Sequence, residues 1–589
     1  MFEPPFPRRF LKAEGAPATS PRTVLGFARA ILTLTGGYWR GKGSGAARAQ
    51  LVMLILLVFV QVGLAVRLNI WNADLFNALG QHSGEGFMEQ VVIFAFLVVA
   101  TMAVNATHLE VKRRMQFGWR SWVTERLLAD WMTKGRHYAL SLMPGDHTNP
   151  DGRIAEDIRI ATEAAVELAN SMFYCVLMLG TFLSILWGLS GVMTVNLPWG
   201  WGPVELPGHM VVIALIYASS GAAAAYGLGR PLVRATDSRQ GREADFRFAL
   251  VHARENAEAL ALTHTEKQER KSLATFFAAI GHIWAKQTSS LRHLTLFSAG
   301  YGTLAPILPI LVTTPRYLMG AISLGGLMQT AQAFQQATAA LSWPVDNAPR
   351  IAEWSASAER ILALQSAIMA LDGPQRPLLL CAPAPGPDLV LDNVVLRDPD
   401  GTAVSAAISA RVAPGEGIVL TGDPHATSLL CRAIAGVWRW GEGCIQLPSG
   451  RYPAILVRRP WLPELPLRDL LVKPGSHSDE AISAALCQVG LFALDDRLDA
   501  NEPWHRVLGD ADRQRLAFAK LLLQRPHLIL LDHATEALNV RATVELLGIL
   551  RDALPDAMIL MTGPRPEGVV DFDRRLELPQ PAMEGELIH

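Results

Sequence analysis

Apolar residues fall into six long stretches within the first 341 residues of this 589-residue chain. A helix needs roughly 20 predominantly apolar residues to cross the hydrocarbon core of a bilayer. Half of all residues are hydrophobic, which leaves enough apolar sequence for several such helices. The pattern therefore predicts six transmembrane helices, at about 50–68, 88–107, 169–193, 209–229, 294–313 and 317–341.

The sixth stretch differs from the others because it is amphipathic. Polar side chains within a membrane bundle generally face the protein interior or a water-filled cavity. We therefore expect this helix to line a polar cavity instead of facing lipid. Its polar positions are Gln329, Gln332, Gln335 and Gln336.

The connections between the stretches alternate in charge. The short connections 69–87 and 194–208 contain no Lys or Arg, whereas the long segments 108–168 and 230–293 are basic. Basic loops remain on the cytoplasmic side of a membrane. Both long segments and both termini are therefore predicted to be cytoplasmic. No cleaved signal peptide is expected, because the basic first 48 residues have no apolar core.

The sequence changes character near residue 372. The stretch "DGPQRPLLLCAPAPGPD" is rich in proline and indicates a linker. After it, short apolar strands alternate with helical patterns, which is typical of an α/β domain with a largely parallel sheet. We predict a cytoplasmic N-terminal segment at 1–37, a transmembrane domain at 38–370, a linker at 371–385 and an α/β domain at 386–589.

Charge and cysteine content exclude two classes of function. The net charge of −1 provides no basic excess for neutralising phosphates, so no nucleic-acid partner is expected. The five cysteines are scattered without a CxxC or His-Cys cluster. That spacing favours packed, reduced thiols over disulfides or a zinc site.

Several stretches resemble one family in their order and spacing. They are "NPDGRIAEDIR" (149–159) and "RENAEALALTHTEKQER" (254–270) in the basic segments, followed by "LLCRAIAGVWRWGEGCI", "RRPWLP", "RQRLAFAKLLLQRP" and "LILLDHATEAL" in the α/β domain. Together they resemble a half-size ABC transporter. The subfamily is the one that contains the peroxisomal fatty-acyl half transporters and the bacterial SbmA/BacA-like transporters of peptides and vitamin B12.

The resemblance implies a fold, partners and a location. The fold is a membrane α-helical bundle of six transmembrane helices, similar to a type I ABC exporter, followed by an α/β P-loop-type nucleotide-binding domain. The implied cofactors are ATP and Mg²⁺. The implied partners are the lipid bilayer, a small organic or peptide substrate, and a second subunit in a homodimer or in a heterodimer with another ABC half transporter. The implied location is a bacterial inner (cytoplasmic) membrane.

The phosphate-binding loop of this family is altered. Such a loop, G-x-x-x-x-G-K-[ST], curls its backbone N–H groups around a phosphate, neutralises charge with the Lys and holds Mg²⁺ with the hydroxyl. The matching stretch here is "GDPHATS", Gly422 to Ser428, which has no second glycine and no lysine. Asp423 adds a negative charge and Pro424 removes an N–H group. Thr427 and Ser428 are expected to begin the next helix as caps.

The other positions that the family uses are altered too. The resemblance places Arg458 where the family has a Mg²⁺-sensing glutamine, and His533 where it has the glutamate that polarises water. Asp532 retains the family's residue at the end of its strand. The degenerate nucleotide site therefore comprises Gly422, Thr427, Ser428, Arg458 and Asp532, with Ser428 and Asp532 as candidate Mg²⁺ ligands. The remaining replacements are "LGDAD" (508–512) for a signature loop L-S-x-G-[EQ], Asn539 for a loop aspartate and Pro564 for a switch histidine.

These losses predict that ATP hydrolysis is weak or absent. Removing one electrostatic contact to a reacting group commonly costs about 10²–10³ in rate, and several such contacts are missing together. His533 has two interpretations: a substituted base, or a side chain that fills a vacated position. We predict no catalytic residue.

Three functions remain open. The first is transport of a peptide or amphipathic organic solute, with the α/β domain as a structural dimerisation module. The second is a silent half that pairs with an active ABC half transporter, and the third is a membrane sensor or scaffold that transports nothing. Proton coupling would need carboxylates near the membrane. The candidates are Asp74, Glu89, Glu163 and Glu167.

Overall fold

The computed structural model describes residues 36–41, 44–143, 149–196, 203–371, 379–448, 453–473, 476–563, 572 and 574–581. These residues divide into two compact units. The membrane unit contains those up to Leu127 and from Asn149 to Ala363. The α/β unit contains those from Leu128 to Thr148 and from Leu364 onward.

Long helices make up the membrane unit, and a short hairpin, β1–β2, separates two of them. The elements are α1 (Ser44–Gly80), α2 (Gly84–Met132), α4 (Ile158–Ser190), β1 (Val192–Asn196), β2 (Pro203–Pro207), α5 (His209–Glu255), α6 (Ala257–Thr263), α7 (Glu266–Leu318), α8 (Leu324–Asp346) and α9 (Ala348–Ala370). A helical turn, Pro150–Gly152, and a π-helical turn, Arg153–Asp157, lead into α4.

Among the described residues, five helices are long and apolar enough to cross a membrane. They are α1, α2, α4 with the turns before it, α5 and α7, and they contain the first five predicted stretches. The protein is therefore a multi-pass membrane protein. The sixth predicted stretch forms α8, which is 23 residues long but carries the four glutamines and is not among these five. The count of six spans and the sidedness of the termini stay predictions.

The predicted start of the sixth stretch, residue 317, was wrong. Helix α7 continues to Leu318, and Gly320 then turns the chain with a φ of 73°. Helix α8 begins only at Leu324, where the Ser323 side chain accepts a hydrogen bond from the Gly326 N–H group. Glycine adopts a positive φ without steric cost, and serine is a strong helix cap, so these two residues separate the helices.

Helix α8 packs closely against α1. A Cβ atom at Gly325 would lie 2.1 Å from the Ala73 carbonyl oxygen, so only glycine fits there. The Gly325 N–H group donates to Asn77 Oδ1 at 3.0 Å, and the fully buried Asn69 donates to the Gln329 carbonyl and to Gln332 Oε1, at 3.2 Å each. Small residues and interhelical amide bonds are the usual means of joining helices in a membrane. Polar pairing therefore extends α1 well beyond the predicted 50–68.

One ion cluster fixes the segment 149–159, which carried part of the family resemblance. The Asp157 carboxylate is buried and accepts from Arg153 Nη1 at 3.1 Å and from Arg360 Nε at 2.9 Å. A buried carboxylate needs charged partners. The two arginines therefore join the start of α4 to α9.

Two sheets form the framework of the α/β unit. The first has five parallel strands in the order β11-β6-β10-β9-β8, and the second has the order β3-β7-β4-β5 and is mostly antiparallel. The strands are β3 (Leu380–Pro383), β4 (Leu389–Leu396), β5 (Ile408–Val412), β6 (Gly417–Thr421), β7 (Gly441–Leu447), β8 (Ala454–Val457), β9 (Leu528–Asp532), β10 (Met558–Thr562) and β11 (Arg574–Glu577).

The α/β unit also contains helices. They are α3 (Arg136–Ser141), α10 (Pro424–Ile434), α11 (Leu467–Leu471), α12 (Asp479–Gln488), α13 (Trp504–Val507), α14 (Asp510–Gln524) and α15 (Val540–Ala553). Strands β9 and β10 are buried at every position, which explains their continuous apolar sequences. This confirms the predicted α/β fold class. The four predicted domain bounds stay predictions, and linker residues 372–378 lie outside the described residues.

Trp504 is the largest fully buried side chain of the α/β unit. Its indole N–H group donates to the Leu465 carbonyl oxygen at 2.9 Å, so the ring is both packed and hydrogen-bonded. Trp461, in contrast, is 83% exposed. The two tryptophans therefore form a matched pair for testing the core.

We predict that Trp504→Ala lowers the free energy of unfolding of the α/β unit by about 3–5 kcal/mol, because it leaves a large cavity. Trp461→Ala should change it by less than about 0.5 kcal/mol. Chemical denaturation of the purified full chain in detergent, followed by near-ultraviolet circular dichroism, measures both. Equal losses in the two variants would contradict this assignment of the core.

Candidate functional site

The altered phosphate loop follows β6 and begins at Gly422. The residue has a φ of 127°, and a Cβ atom there would lie 3.0 Å from the Leu578 carbonyl oxygen. Only glycine meets both conditions without strain. Gly422 therefore keeps the conformational role of a first loop glycine.

Asp423 caps the helix that follows the loop. Helix α10 begins at Pro424, and the Asp423 carboxylate accepts a hydrogen bond from the Ala426 N–H group at 3.2 Å. A helix N-terminus carries partial positive charge and is the place where phosphate loops bind an anion. In this protein a side-chain carboxylate holds that position.

The prediction that Thr427 and Ser428 cap this helix was wrong. The helix begins one turn earlier, because Asp423 is the better-placed acceptor and Pro424 suits the first helical position. The Thr427 hydroxyl donates to the Pro424 carbonyl oxygen at 3.0 Å and is buried. Ser428 points to a different partner.

Ser428 and Asp532 are in direct contact. The Ser428 hydroxyl donates to Asp532 Oδ1 at 2.6 Å, and the Thr562 hydroxyl donates to the same oxygen at 3.2 Å. Asp532 is 5% exposed at the end of β9. The structure thus brings together the two predicted Mg²⁺ ligands, and both offer the hard oxygen atoms that Mg²⁺ prefers.

His533 adopts a backbone conformation that is uncommon for a residue with a side chain. Its φ is 52°, and its N–H group donates to Thr562 Oγ1 at 3.0 Å. Its ring Nδ1 lies 2.6 Å from Glu536 Oε1, so the carboxylate orients the imidazole. Strained residues of this type persist where their surroundings hold them.

Glu536 also joins His533 to Arg458. The second Glu536 oxygen lies 3.1 Å from Arg458 Nε. The backbone around Arg458 is fixed separately, because the fully buried Gln514 side chain donates to the carbonyl oxygens of Val457 and Arg458. Sequence reasoning missed Glu536 and Gln514. The signal for Glu536 was its three-residue spacing from His533, whereas Gln514 gave no signal because it stands in the polar first part of α14.

These side chains line one cavity of about 560 Å³. The predicted residues Ser428, Arg458, Asp532 and His533 all contribute to it, whereas Gly422 and Thr427 support the loop beside it. The other lining residues are Arg432, Val457, Arg459 and Glu536. Polar and charged groups therefore dominate the wall.

Arg432 connects this cavity to a segment from far upstream. Its Nη1 donates to the Tyr138 hydroxyl at 3.1 Å. Tyr138 lies on α3, whose Ala139 and Leu140 are buried. This helix belongs to the predicted cytoplasmic segment 108–168, so a segment 294 residues upstream of Arg432 contacts the wall of the site.

The remaining altered positions form local contacts. The stretch "LGDAD" starts α14, where Asp510 pairs with Arg513 at 3.2 Å. The Asn539 side chain caps α15 by accepting from the Ala542 N–H group at 2.9 Å. Pro564 lies outside the described residues.

Comparison with known proteins decides the family. A family model described as "ABC transporter transmembrane region 2" matches residues 41–304. The inner membrane ABC transporter ATP-binding protein YddA of Escherichia coli (strain K12) is 27% identical over 554 residues, which cover 93% of this chain and 97% of YddA. This chain is a half-size ABC transporter. Its α/β unit is the ABC-type nucleotide-binding domain of that family.

More distant relatives agree with this family. The half transporter is 24% identical to the human lysosomal cobalamin transporter ABCD4, over 91% of this chain and 92% of ABCD4. A solved bacterial Atm1-family ABC exporter with ATP bound matches it with a TM-score of 0.66 and 17% identity, over 90% of this chain and 94% of the exporter. The half transporter therefore has the Atm1-type exporter fold.

We predict that Asn539→Ala lowers the stability of the nucleotide-binding domain by about 1 kcal/mol, because α15 loses its cap. Asn539→Asp keeps a capping oxygen and should stay within about 0.5 kcal/mol of the parent. Denaturant unfolding of the purified half transporter provides both values. A comparable loss in Asn539→Asp would show that Asn539 does more than cap the helix.

Cys431 gives a second prediction for the site. Burial, together with the nearby Asp532 carboxylate, raises the pKa of the Cys431 thiol above its usual range. The thiol should therefore stay protonated and unreactive at about pH 8, where exposed Cys487 is alkylated. Iodoacetamide labelling followed by peptide mass spectrometry checks this. Labelling of Cys431 at the rate of Cys487 in the folded protein would refute it.

Proposed function

We propose that this half transporter moves a peptide or an amphipathic organic solute across the bacterial inner membrane, and that it does so without hydrolysing ATP at its own nucleotide site. The observation that carries the proposal is the Asp423 carboxylate at the N-terminus of α10. This carboxylate takes the hydrogen bond and the helix charge that a phosphate would need.

The negative charge of Asp423 also opposes phosphate binding. Two like unit charges 4 Å apart repel by about 4 kcal/mol at an effective dielectric constant of 20. No lysine stands in "GDPHATS" to offset that repulsion. A triphosphate therefore loses both a donor and the attraction of the site, and we expect ATP binding to be weak.

The two candidate Mg²⁺ ligands, Ser428 and Asp532, have a structural role in this proposal. Ser428 and Asp532 fit Mg²⁺ by chemistry and would hold the ion, which would supply positive charge to offset that of a phosphate. Without a phosphate to complete its coordination, two protein oxygens hold the ion poorly. We infer that the contact between Ser428 and Asp532 serves the fold of the domain.

His533 is best explained as a structural residue. Its Nδ1 is paired with Glu536, and Glu536 is paired with Arg458, so the three side chains satisfy one another. A base needs a substrate held within hydrogen-bonding distance, and the altered loop does not supply one. His533, which stands where the family has its catalytic glutamate, is thus part of an internal network with Glu536 and Arg458.

The substrate class rests on the relatives and on the membrane unit. Human ABCD4 is described as a cobalamin transporter, and cobalamin is a large organic solute. A dimer, as is typical of half transporters, would complete the path through the membrane.

The predicted proton-coupling carboxylates are largely paired. Asp74 lies 3.4 Å from Arg67, Glu167 lies 2.9 Å from Arg350, and Glu163 lies 3.4 Å from Arg159. An arginine partner stabilises the ionised form of a carboxylate. These pairs would have to break during transport if one of them carries a proton.

Uptake by cells that express this chain alone tests the proposal. We expect accumulation of a labelled hydrophobic peptide or of labelled cobalamin, lost on addition of a protonophore and kept when ATP is depleted with the gradient maintained. Asp532→Asn should leave uptake unchanged. Uptake that follows ATP levels and falls in Asp532→Asn would refute the proposal. Uptake that needs a second, intact half transporter would identify the chain as a silent half.

A further inference from the structure

A second cavity, of about 390 Å³, lies within the membrane unit between α1, α2 and α4. Each helix contributes one face to it. Thr101, Asn105 and His108 follow a helical repeat of four and three residues on α2, and Asn170, Ser171 and Tyr174 form the matching face of α4. Its volume lies within the range of about 300–1,000 Å³ that is typical of small-molecule sites.

The described lining combines amide, hydroxyl and imidazole groups with aliphatic side chains and carries no Asp, Glu, Lys or Arg side chain. Polar residues inside a membrane are costly and mark solute pathways or binding sites when they face a cavity. Gln61 bonds Asn105 and His108 bonds Asn170 between the helices, yet an open space remains beside these two pairs. The cavity therefore needs an explanation beyond helix packing.

The hydrogen bonds between described residues leave several polar groups of this lining unused. Gln61 Nε2 donates to Asn105 Oδ1 at 2.9 Å, which leaves Gln61 Oε1 as an acceptor and Asn105 Nδ2 as a donor. His108 is 9% exposed and its Nε2 lies 3.2 Å from Asn170 Oδ1, so the Asn170 amide also keeps its donors. The cavity thus offers donors and acceptors of neutral groups.

A ligand that matches this wall is uncharged and carries both a donor and an acceptor. A secondary amide has these two groups, and the aliphatic side chains of Leu64, Ala65 and Leu68 on α1 provide apolar contact beside them. An ionised ligand finds no opposite fixed charge among the described lining residues and would lose its hydration without compensation.

We propose that this cavity binds an uncharged, amide-bearing solute, with Gln61, Asn105 and Asn170 as the recognising side chains. The inference rests on the proposed transport function, because it names the chemical class of the solute. It places recognition within one subunit, among the first three membrane helices of the half transporter.

Equilibrium dialysis tests the proposal with the purified full chain in nanodiscs and the radiolabelled blocked dipeptide N-acetyl-alanyl-alanine amide. We expect saturable binding at one site per chain. Gln61→Leu removes one recognising amide and should weaken binding about tenfold. Gln81→Leu makes the same chemical change at the exposed turn after α1, outside the cavity, and should leave binding unchanged.

A second variant distinguishes a loss of ligand recognition from misfolding. Asn105→Asp keeps the size of the side chain but adds a charge, and should also weaken binding of the blocked dipeptide about tenfold. Monodisperse elution and an unchanged unfolding temperature show that it folds. The zwitterionic dipeptide alanyl-alanine should bind at least about tenfold more weakly than the blocked one.

Three results would overturn the proposal: no saturable binding of the blocked dipeptide, equal binding by the zwitterion, or binding that Gln61→Leu and Asn105→Asp leave unchanged. Binding by a chain that shows no uptake would refute the transport function and leave the site standing. Uptake by a chain that binds no blocked dipeptide would refute the binding site and leave the transport function standing.

Discussion

The hydrogen bond between the Ser428 hydroxyl and Asp532 Oδ1, 2.6 Å long, joins the first turns of α10 to the end of β9. The geometry of the altered site depends on it. It holds the helix that follows the phosphate loop against the buried strand that precedes His533. Thr562, at the end of β10, donates to the same oxygen. Three chain segments therefore meet at one carboxylate that is shielded from water, where a hydrogen bond contributes more than it would at the surface.

Around that contact, the domain satisfies its charges internally. Asp423 pairs with the N-terminus of α10, and Glu536 lies between His533 and Arg458. A nucleotide site that works leaves such groups free for a ligand, so its folded state carries unsatisfied charge. Here these groups have partners within the chain, and the residues that we propose to hinder ATP binding also contribute to the stability of the domain. The contact between Arg432 and Tyr138 keeps α3, from far upstream in the chain, attached to that domain.

The sequence predicted the parts of this structure that depend on local pattern. Long apolar runs have few alternative structures, so the first five membrane helices and the buried strand β9 were predictable. The start of α8 was not, because Gly320 and Ser323 lie inside an apolar stretch and break it through backbone conformation. The motif order located Ser428, Arg458, Asp532 and His533, which the structure brings to one cavity. It did not locate Glu536, whose importance comes from pairing in space, or Asp423 as a cap. The membrane cavity is formed by residues from three helices, and no single stretch of sequence shows it.

We infer that the nucleotide-binding domain of this half transporter folds around a site that no longer uses ATP. The most direct measurement is the rate of ATP hydrolysis by the purified chain in nanodiscs, compared with that of Asp532→Asn. This variant keeps an oxygen for Ser428 and Thr562 but removes the negative charge that Mg²⁺ needs and replaces the second carboxylate oxygen with an NH2 group. We expect equal rates, at the level of protein-free nanodiscs. A rate above that level which falls in Asp532→Asn would contradict it.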